Sequence, residues 1–254
     1  MIDTDLIEQF ETDGLCVVPN VLPATEVAVL WQELEAAMAE DLEVKPNVFD
    51  ASMVHNCMFR GVRMAALLDS EVMNAYVQAI LAPSCILYAY QSSSLPTGDG
   101  NYGSRVHVDA PRFVDSYITN VGVIFPLMDF DAASGGTLYV PGSHKVAELP
   151  GASDFDKRCQ RVTCKAGDMV TFNARLAHAA GINQGDTVRH ALTLNFCRCF
   201  MRQRFDFARM VSDAQLDAMG AHARRLLGWN VRMPTSLDEF YLPTAERLYK
   251  PGQE

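Results

Sequence analysis

Between about residues 85 and 200, short apolar runs rich in Val, Ile, Thr and aromatics alternate with clusters of Gly, Pro, Asp and Ser. This pattern restricts the fold more than any other feature of the chain. Residues 86–94, 104–109, 120–128, 137–140, 168–173 and 187–200 each read as strands. Several short strands at this spacing predict an antiparallel sandwich or jelly roll. The two ends read differently. Asp5 and Glu8 have the spacing of an N-terminal capping pair, and Leu6, Ile7 and Phe10 share one helical face ended by Gly14. Residues 15–18 form a short strand. Val27, Leu30, Trp31, Leu34 and Met38 recur at helical spacing behind Pro23, which predicts a helix over 23–40. A third helix is expected over 64–81. A fourth is capped by Ser212 and Gln215, buries Leu216, Met219, Leu226 and Leu227, and stops at Gly228. No internal repeat or Pro/Gly/Ser-rich linker appears. The expected organisation over 1–254 is one mainly β domain with flanking helices (α+β): N-terminal helices in 1–82, a β core in 85–200 and a helical extension in 205–254.

Charge and composition narrow the function. The chain has 254 residues, 49% of them hydrophobic, and a formal net charge of −10 from 21 basic and 31 acidic side chains. Whole-chain disorder is excluded, and a surface this acidic argues against nucleic acid as partner. No apolar run approaches the ~18 residues of a membrane span. The acidic start, Met1–Asp5, lacks the pattern of a secretory signal. Seven cysteines with no Cys-x-x-Cys suggest reduced thiols rather than a disulfide framework, and a cytoplasmic setting.

The chain has six histidines, and one lies in His107-Val108-Asp109. Alternate residues of a strand point to one face, so this imidazole and carboxylate would converge. A His-x-Asp arises readily by chance and does not carry the reading alone. His178, which follows the predicted strand 168–173, can supply a third ligand. Two His and one carboxylate leave open positions on an octahedral ion, as in the facial triad of non-haem Fe(II) oxygenases. Arg189 lies eleven residues after His178 and opens the last long strand, where alternation groups it with Ala191, Thr193 and Asn195. An arginine inside a β core needs an anion, and a carboxylate pairs with it bidentately.

His107-x-Asp109, His178 and Arg189 resemble the Fe(II)/2-oxoglutarate dioxygenases of the phytanoyl-CoA dioxygenase family. So do the run 135–145 (GGTLYVPGSHK), Gly167-Asp168, and the N-terminal run 10–19 (FETDGLCVVP). The resemblance spans roughly residues 5–200. It implies a cupin-like double-stranded β-helix with Fe(II) held by His107, Asp109 and His178. It also implies 2-oxoglutarate chelating the metal, with Arg189 on its C5-carboxylate, and O₂ as oxidant. Succinate and CO₂ would be the co-products of oxidising a substrate C–H bond. Relatives often carry Ser or Thr two residues after the distal His; here that position is Ala180, and Thr137 or Thr193 can substitute. Gln91 matches a polar co-substrate contact of some relatives. The carboxylate of Asp109 argues against halogenation, since related halogenases have Gly or Ala there.

Other residues are weighed more blandly. His144 reads as a turn residue, His190 as packing on the far face from Arg189, and Cys197 and Cys199 as buried thiols. The stretch 45–62, with His55, serves as a lid or a plain loop. For substrate, Asn195, Arg112, Phe125 and Arg198 are the candidates. Arg198, Arg202, Arg204 and Arg209 form either an anion site or surface ion pairs. A small polar metabolite or natural-product intermediate is the expected substrate, with hydroxylation as the expected outcome. Desaturation, epimerisation or cyclisation would use the same residues. A zinc hydrolase or a non-catalytic β-barrel binding protein remains the alternative of another class. Oligomeric state is not legible.

Overall fold

The computed structural model describes residues 2–44, 53–98 and 102–247. Helix α1 (Thr4–Asp13) is capped by Asp3 rather than Asp5: the Asp3 carboxylate accepts the Asp5 N–H at 3.0 Å. Gly14 ends the helix with φ +85°, where a Cβ would run into His144 and Leu176. The chain passes directly into β1 (Leu15–Val18) and then α2 (Ala24–Val44), which runs a turn beyond the expected end. The helix expected over 64–81 is broken. α3 (Val62–Ala66) gives way to a 3₁₀ turn, and α4 (Glu71–Ile80) begins afresh with the Ser70 hydroxyl accepting the Met73 N–H. The break frees Asp69, whose carboxylate caps a distant helix by accepting the N–H groups of Gly220 and Ala223.

Two antiparallel sheets follow. The larger has the order β1-β6-β3-β8-β2, built from β2 (Ile86–Leu95), β3 (Asn120–Pro126), β6 (Met169–Asn173), β8 (Arg189–Cys197) and the N-terminal β1. The smaller has the order β5-β4-β7, from β4 (Leu138–Tyr139), β5 (Gln160–Arg161) and β7 (His178–Ala179). A helix not foreseen, α5 (Ala152–Arg158), interrupts the strands. The strand expected over 104–109 does not form. Its partner β7 is two residues long, so only one antiparallel pair, His107 with His178, is made. The C-terminal segment holds α6 (Phe207–Met210), α7 (Asp213–Ala218), α8 (Ala221–Leu226) and α9 (Leu237–Phe240). The expected capping box of Ser212 and Gln215 is present, but the helix breaks at Gly220 before Leu226 and Leu227.

The larger sheet separates two kinds of surface. Val121, Val123, Phe125, Leu192, Leu194 and Phe196 pack against the helices through Phe10, Leu30, Leu34, Met64 and Tyr76. Each large apolar side chain so buried contributes about 1.5–3 kcal/mol. The opposite face meets the smaller sheet through Ile124, Val170, Phe172, Tyr139 and Val162. A register shift between Leu87 and Ala89 resets the alternation of β2, so Ser92 and Ser94 join the helix side and Gln91 the inter-sheet side. None of the seven cysteines forms a disulfide, and burial pushes the Cys16, Cys164 and Cys197 thiols up to about 12, which leaves them unreactive. Among the described residues no helix is long and apolar enough to cross a membrane.

Candidate metal and co-substrate site

β7 is held on one side by β4, with Tyr139 opposite His178. On its other side the His107 N–H donates to the His178 carbonyl at 2.9 Å, and the His178 N–H returns to the His107 carbonyl at 3.0 Å. Residues so paired share a face, and the two rings lie 4.2 Å apart between centroids. Asp109 follows two residues later. Its Oδ1 is 3.6 Å from His107 Nε2 and 3.9 Å from His178 Nε2, and ligand atoms of the three side chains lie within 4.8 Å of one another.

The backbone sets the orientation of both imidazoles. His107 Nδ1 lies 2.7 Å from the Arg105 carbonyl and His178 Nδ1 lies 2.9 Å from the Leu176 carbonyl. A carbonyl only accepts, so each Nδ1 carries the proton and each Nε2 presents its lone pair beside Asp109. Burial lowers the His178 pKa against the opposing pull of Asp109, which keeps that ring neutral. Side-chain exposure is 11% for His178, 30% for His107 and 31% for Asp109, so the cluster is partly open to solvent. Two neutral imidazoles and a carboxylate with an open side fit a divalent first-row ion that keeps vacant positions.

Residues around the cluster extend what sequence reasoning singled out. Asn195 Nδ2 donates to Asp109 Oδ2 at 3.4 Å, and Asn120 Nδ2 donates to Asn195 Oδ1 at 2.9 Å. The Phe172 ring meets His178 edge-on at 5.1 Å. It has room because Gly122, opposite it in register, bears no side chain, and a Cβ there would strike the ring. Arg175 donates to the carbonyls of Pro111, Val146 and Ala147 and so ties down the loop after Asp109. Asn120, Gly122, Phe172 and Arg175 were missed. For Asn120, Gly122 and Arg175 the signal was a polar or glycine residue inside an otherwise apolar strand, or an arginine just beyond one; Phe172 gave none.

Arg189 opens β8 and is 2% exposed. Nη1 donates to the Gly135 carbonyl at 2.6 Å, and the guanidinium lies 4.5 Å above the Phe130 ring. Its Nε is buried with no partner, and no carboxylate pairs with it among the described residues. Burial pushes its pKa down to about 10, so it is still charged near neutrality. A buried cation in this state costs several kcal/mol until an anion reaches it, on the order of the effective desolvation penalty of an ion.

The remaining candidates fall in different places. Gln91 and Thr193 are cross-strand partners, and the Thr193 hydroxyl donates to the Gln91 carbonyl at 3.1 Å. Thr137 is buried two residues after Gly135, the residue that Arg189 grips. Phe125 does not face the cavity: it is fully buried on the helix side opposite Leu192, because β3 alternates with Ile124 facing inward. Arg112 is exposed in the loop beyond Asp109. Arg198 donates to the Ile118 carbonyl and stacks on Tyr117 at 4.6 Å. Ala180 donates its N–H to the Gly103 carbonyl at 2.7 Å. His190 packs away from the cavity, edge-on to Trp31 at 4.6 Å and 2.8 Å from the Ser94 hydroxyl. Of the stretch 45–62, residues 45–52 lie outside the described residues, while His55 pairs with Gln91.

A His–Asp–His cluster on an antiparallel two-sheet core, with a buried arginine in reserve, defines the class of non-haem iron oxygenases that take an acidic co-substrate. The chain belongs to the phytanoyl-CoA dioxygenase (PhyH) family, whose model matches residues 10–191, and it is an oxidoreductase of the Fe(II)/2-oxoglutarate-dependent dioxygenase class. It is 35% identical over 182 residues to an uncharacterized protein of Mycobacterium tuberculosis, covering 70% of this chain and 67% of that one. It is 22% identical over 251 residues to the Fe(II)/2-oxoglutarate-dependent dioxygenase nvfF of Aspergillus novofumigatus, covering 89% and 82%. Among solved structures, the epimerase SnoN in complex with Fe³⁺, alpha ketoglutarate and nogalamycin RO superposes with a TM-score of 0.60. That match has 19% identity and covers 76% of this chain and 82% of the other.

Proposed function

We propose that this chain uses Fe(II), 2-oxoglutarate and O₂ to hydroxylate an aliphatic C–H of a small polar metabolite or natural-product intermediate. The observation that carries the reading is the pairing of a complete His₂Asp cluster with a buried, unneutralised Arg189 in the same fold. We read the two sheets as the walls of a double-stranded β-helix. When bound together, the metal and co-substrate supply an oxidant strong enough for an unactivated C–H bond and release succinate and CO₂. His107, Asp109 and His178 would hold the metal. Their Nδ1–carbonyl hydrogen bonds keep the imidazoles oriented before it arrives. Arg189 would take the far carboxylate of 2-oxoglutarate, and the aromatic wall of Phe130 keeps water from competing for that charge. Hydroxyl groups of Thr137 and Thr193 are at hand where Ala180 offers none. Asn195 steadies Asp109 through its second oxygen. Arg112 and Arg198, on or against the loop after Asp109, would meet substrate only at the rim.

A zinc hydrolase has no evident need for a buried arginine awaiting an anion, and a simple binding protein need not keep a complete His₂Asp cluster. A solved relative is an epimerase, which favours keeping stereochemical inversion as a second outcome at the same residues. The test is anaerobic addition of Fe(II) and then 2-oxoglutarate. A visible charge-transfer band is expected from wild type and none from His178→Ala. A wild-type protein that retains iron but gives no band would overturn the reading. With a turned-over substrate, mass spectrometry separates the outcomes: one oxygen gained for hydroxylation, no change for epimerisation, two hydrogens lost for desaturation or ring closure.

A further inference from the structure

β2 is an edge strand of the larger sheet, and two segments cover its free side. The first is 54–55: the Ser92 N–H donates to the Val54 carbonyl at 2.9 Å, and His55 pairs antiparallel with Gln91. The second follows β8, where the Arg204 N–H donates to the Tyr88 carbonyl at 3.0 Å. Paired antiparallel residues share a face. Val54 and Ser92 go to the helix side, so His55 and Gln91 go to the side of Thr193 and Asn195. Asn195 touches Asp109. One two-residue strand repeat, about 7 Å, therefore separates the Gln91–Thr193 pair from the residue that holds the metal-ligand carboxylate.

Arg204 turns back onto this pair. Its Nη1 donates to Gln91 Oε1 at 2.9 Å. Because a guanidinium only donates, Gln91 must offer its oxygen there, and both amide N–H groups are directed elsewhere. Two of its neighbours in sequence have partners of their own: Arg209 faces Asp206 at 3.7 Å, and Arg198 serves the Ile118 carbonyl. Arg204 has a neutral amide as its partner and no carboxylate among the described residues, although the chain has 31 acidic side chains against 21 basic ones. Its backbone is held by the Tyr88 carbonyl and its guanidinium by the Gln91 amide oxygen, yet the guanidinium keeps donors to spare. Beside it stands the Gln91 amide, which can also donate, and His55 pairs with Gln91 on the same face.

We infer that Arg204, Gln91 and His55 form an anion subsite at the mouth of the cavity, and that the substrate carries a carboxylate or phosphate monoester anchored there. The bond to be oxidised then lies at the opposite end of the molecule, toward His107, Asp109 and His178. This inference rests on the dioxygenase reading, deepens it to a substrate class, and is tested apart from it. Octanoate, octyl phosphate and octylammonium share a chain long enough to span subsite and metal centre. Each is titrated calorimetrically into protein loaded with Ni(II) and 2-oxoglutarate, so that Arg189 is already occupied and no turnover occurs. At least tenfold tighter binding of one of the anions than of the ammonium is expected, and whichever anion binds more tightly identifies the group. Arg204→Glu should reverse that preference. Arg204→Gln, which keeps the hydrogen-bonding shape, should abolish it without reversal, which guards against a misfolded charge variant. Equal binding of acid and amine by wild type overturns the proposal, as does an Arg204→Glu protein that still prefers the anion. If the charge preference holds but Fe(II) and 2-oxoglutarate give no visible band, the subsite stands and the dioxygenase reading falls.

Discussion

The His–Asp–His cluster and the buried arginine, the two ends of the candidate site, are built on opposite principles. At the metal end the functional side chains come from a two-residue strand and an irregular segment, and they are partly open to solvent. Their precision comes from backbone carbonyls that hold each Nδ1 and from one reciprocal main-chain pair. At the other end Arg189 stands on a nine-residue strand in the interior of the sheet, is buried, and lacks a charged partner. One end is satisfied and accessible, and the other is rigid and unsatisfied. A divalent ion must exchange its water shell to enter, which an open site permits. A dicarboxylate must be selected by its length, which a deeply fixed charge permits. Each end is suited to the ligand it would take.

The largest effect should come from removing the unsatisfied end. Arg189→Ala is expected to raise the apparent KM for 2-oxoglutarate about 10–150-fold, since a charge-assisted contact of about 1.5–3 kcal/mol is lost. Iron affinity measured without co-substrate should change little. Arg189→Met makes the comparison sharper. Without ligand, that variant should melt higher than wild type, because an uncompensated buried cation is replaced by an apolar chain of similar volume. A lower Tm for the methionine variant would show that the Gly135 and Phe130 contacts already compensate the charge.

How far these ends were legible in the sequence follows from the same contrast. The alternation of 187–200 could be read because Leu192, Leu194 and Phe196 are all apolar while Arg189, Thr193 and Asn195 are not. β3 could not be read this way: its run NVGVIFP is buried at every position, so period two carries no sign, and Phe125 was assigned to the wrong face. His107 and Asp109 were recognisable from spacing, but not as irregular chain, because the length of the partner strand is a tertiary fact. The helix expected over 64–81 failed at Asp69 and Ser70, whose side chains are used for capping and not for helix continuation. Arg204 could be read only as one of four arginines forming an anion site or surface ion pairs, since its contact with Gln91 at the β2 edge is a tertiary fact.

The middle-sized effect tests how the metal end is propped from the side. Gly122→Ala adds a methyl where the Phe172 ring lies, and that ring abuts His178. Overpacking of this kind costs about 1–3 kcal/mol of stability. The displaced ring should also move His178, so metal affinity falls together with Tm. Gly122→Ala combined with Phe172→Leu removes the clash and should recover most of both. If stability recovers and metal affinity does not, Phe172 is itself a positioning residue for His178.

The smallest effect probes a side-chain contact between the β8 face and the metal cluster. Asn195 donates to Asp109 at 3.4 Å, a long bond, and is itself held by Asn120 at 2.9 Å. Outer contacts to metal ligands change affinity by about 10–100-fold, and a bond this long belongs at or below the lower bound. Asn195→Ala should therefore weaken Fe(II) binding by roughly tenfold at most, by equilibrium dialysis. The KM for 2-oxoglutarate should stay near the wild-type value, because Arg189 sits six residues away on the same strand and keeps its own contacts. Asn195→Asp would put a second carboxylate against Asp109 and should cost more than Ala in the metal-free protein, with Fe(II) closing the gap. If Ala and Asp variants bind iron alike and as well as wild type, the hydrogen bond to Asp109 is incidental.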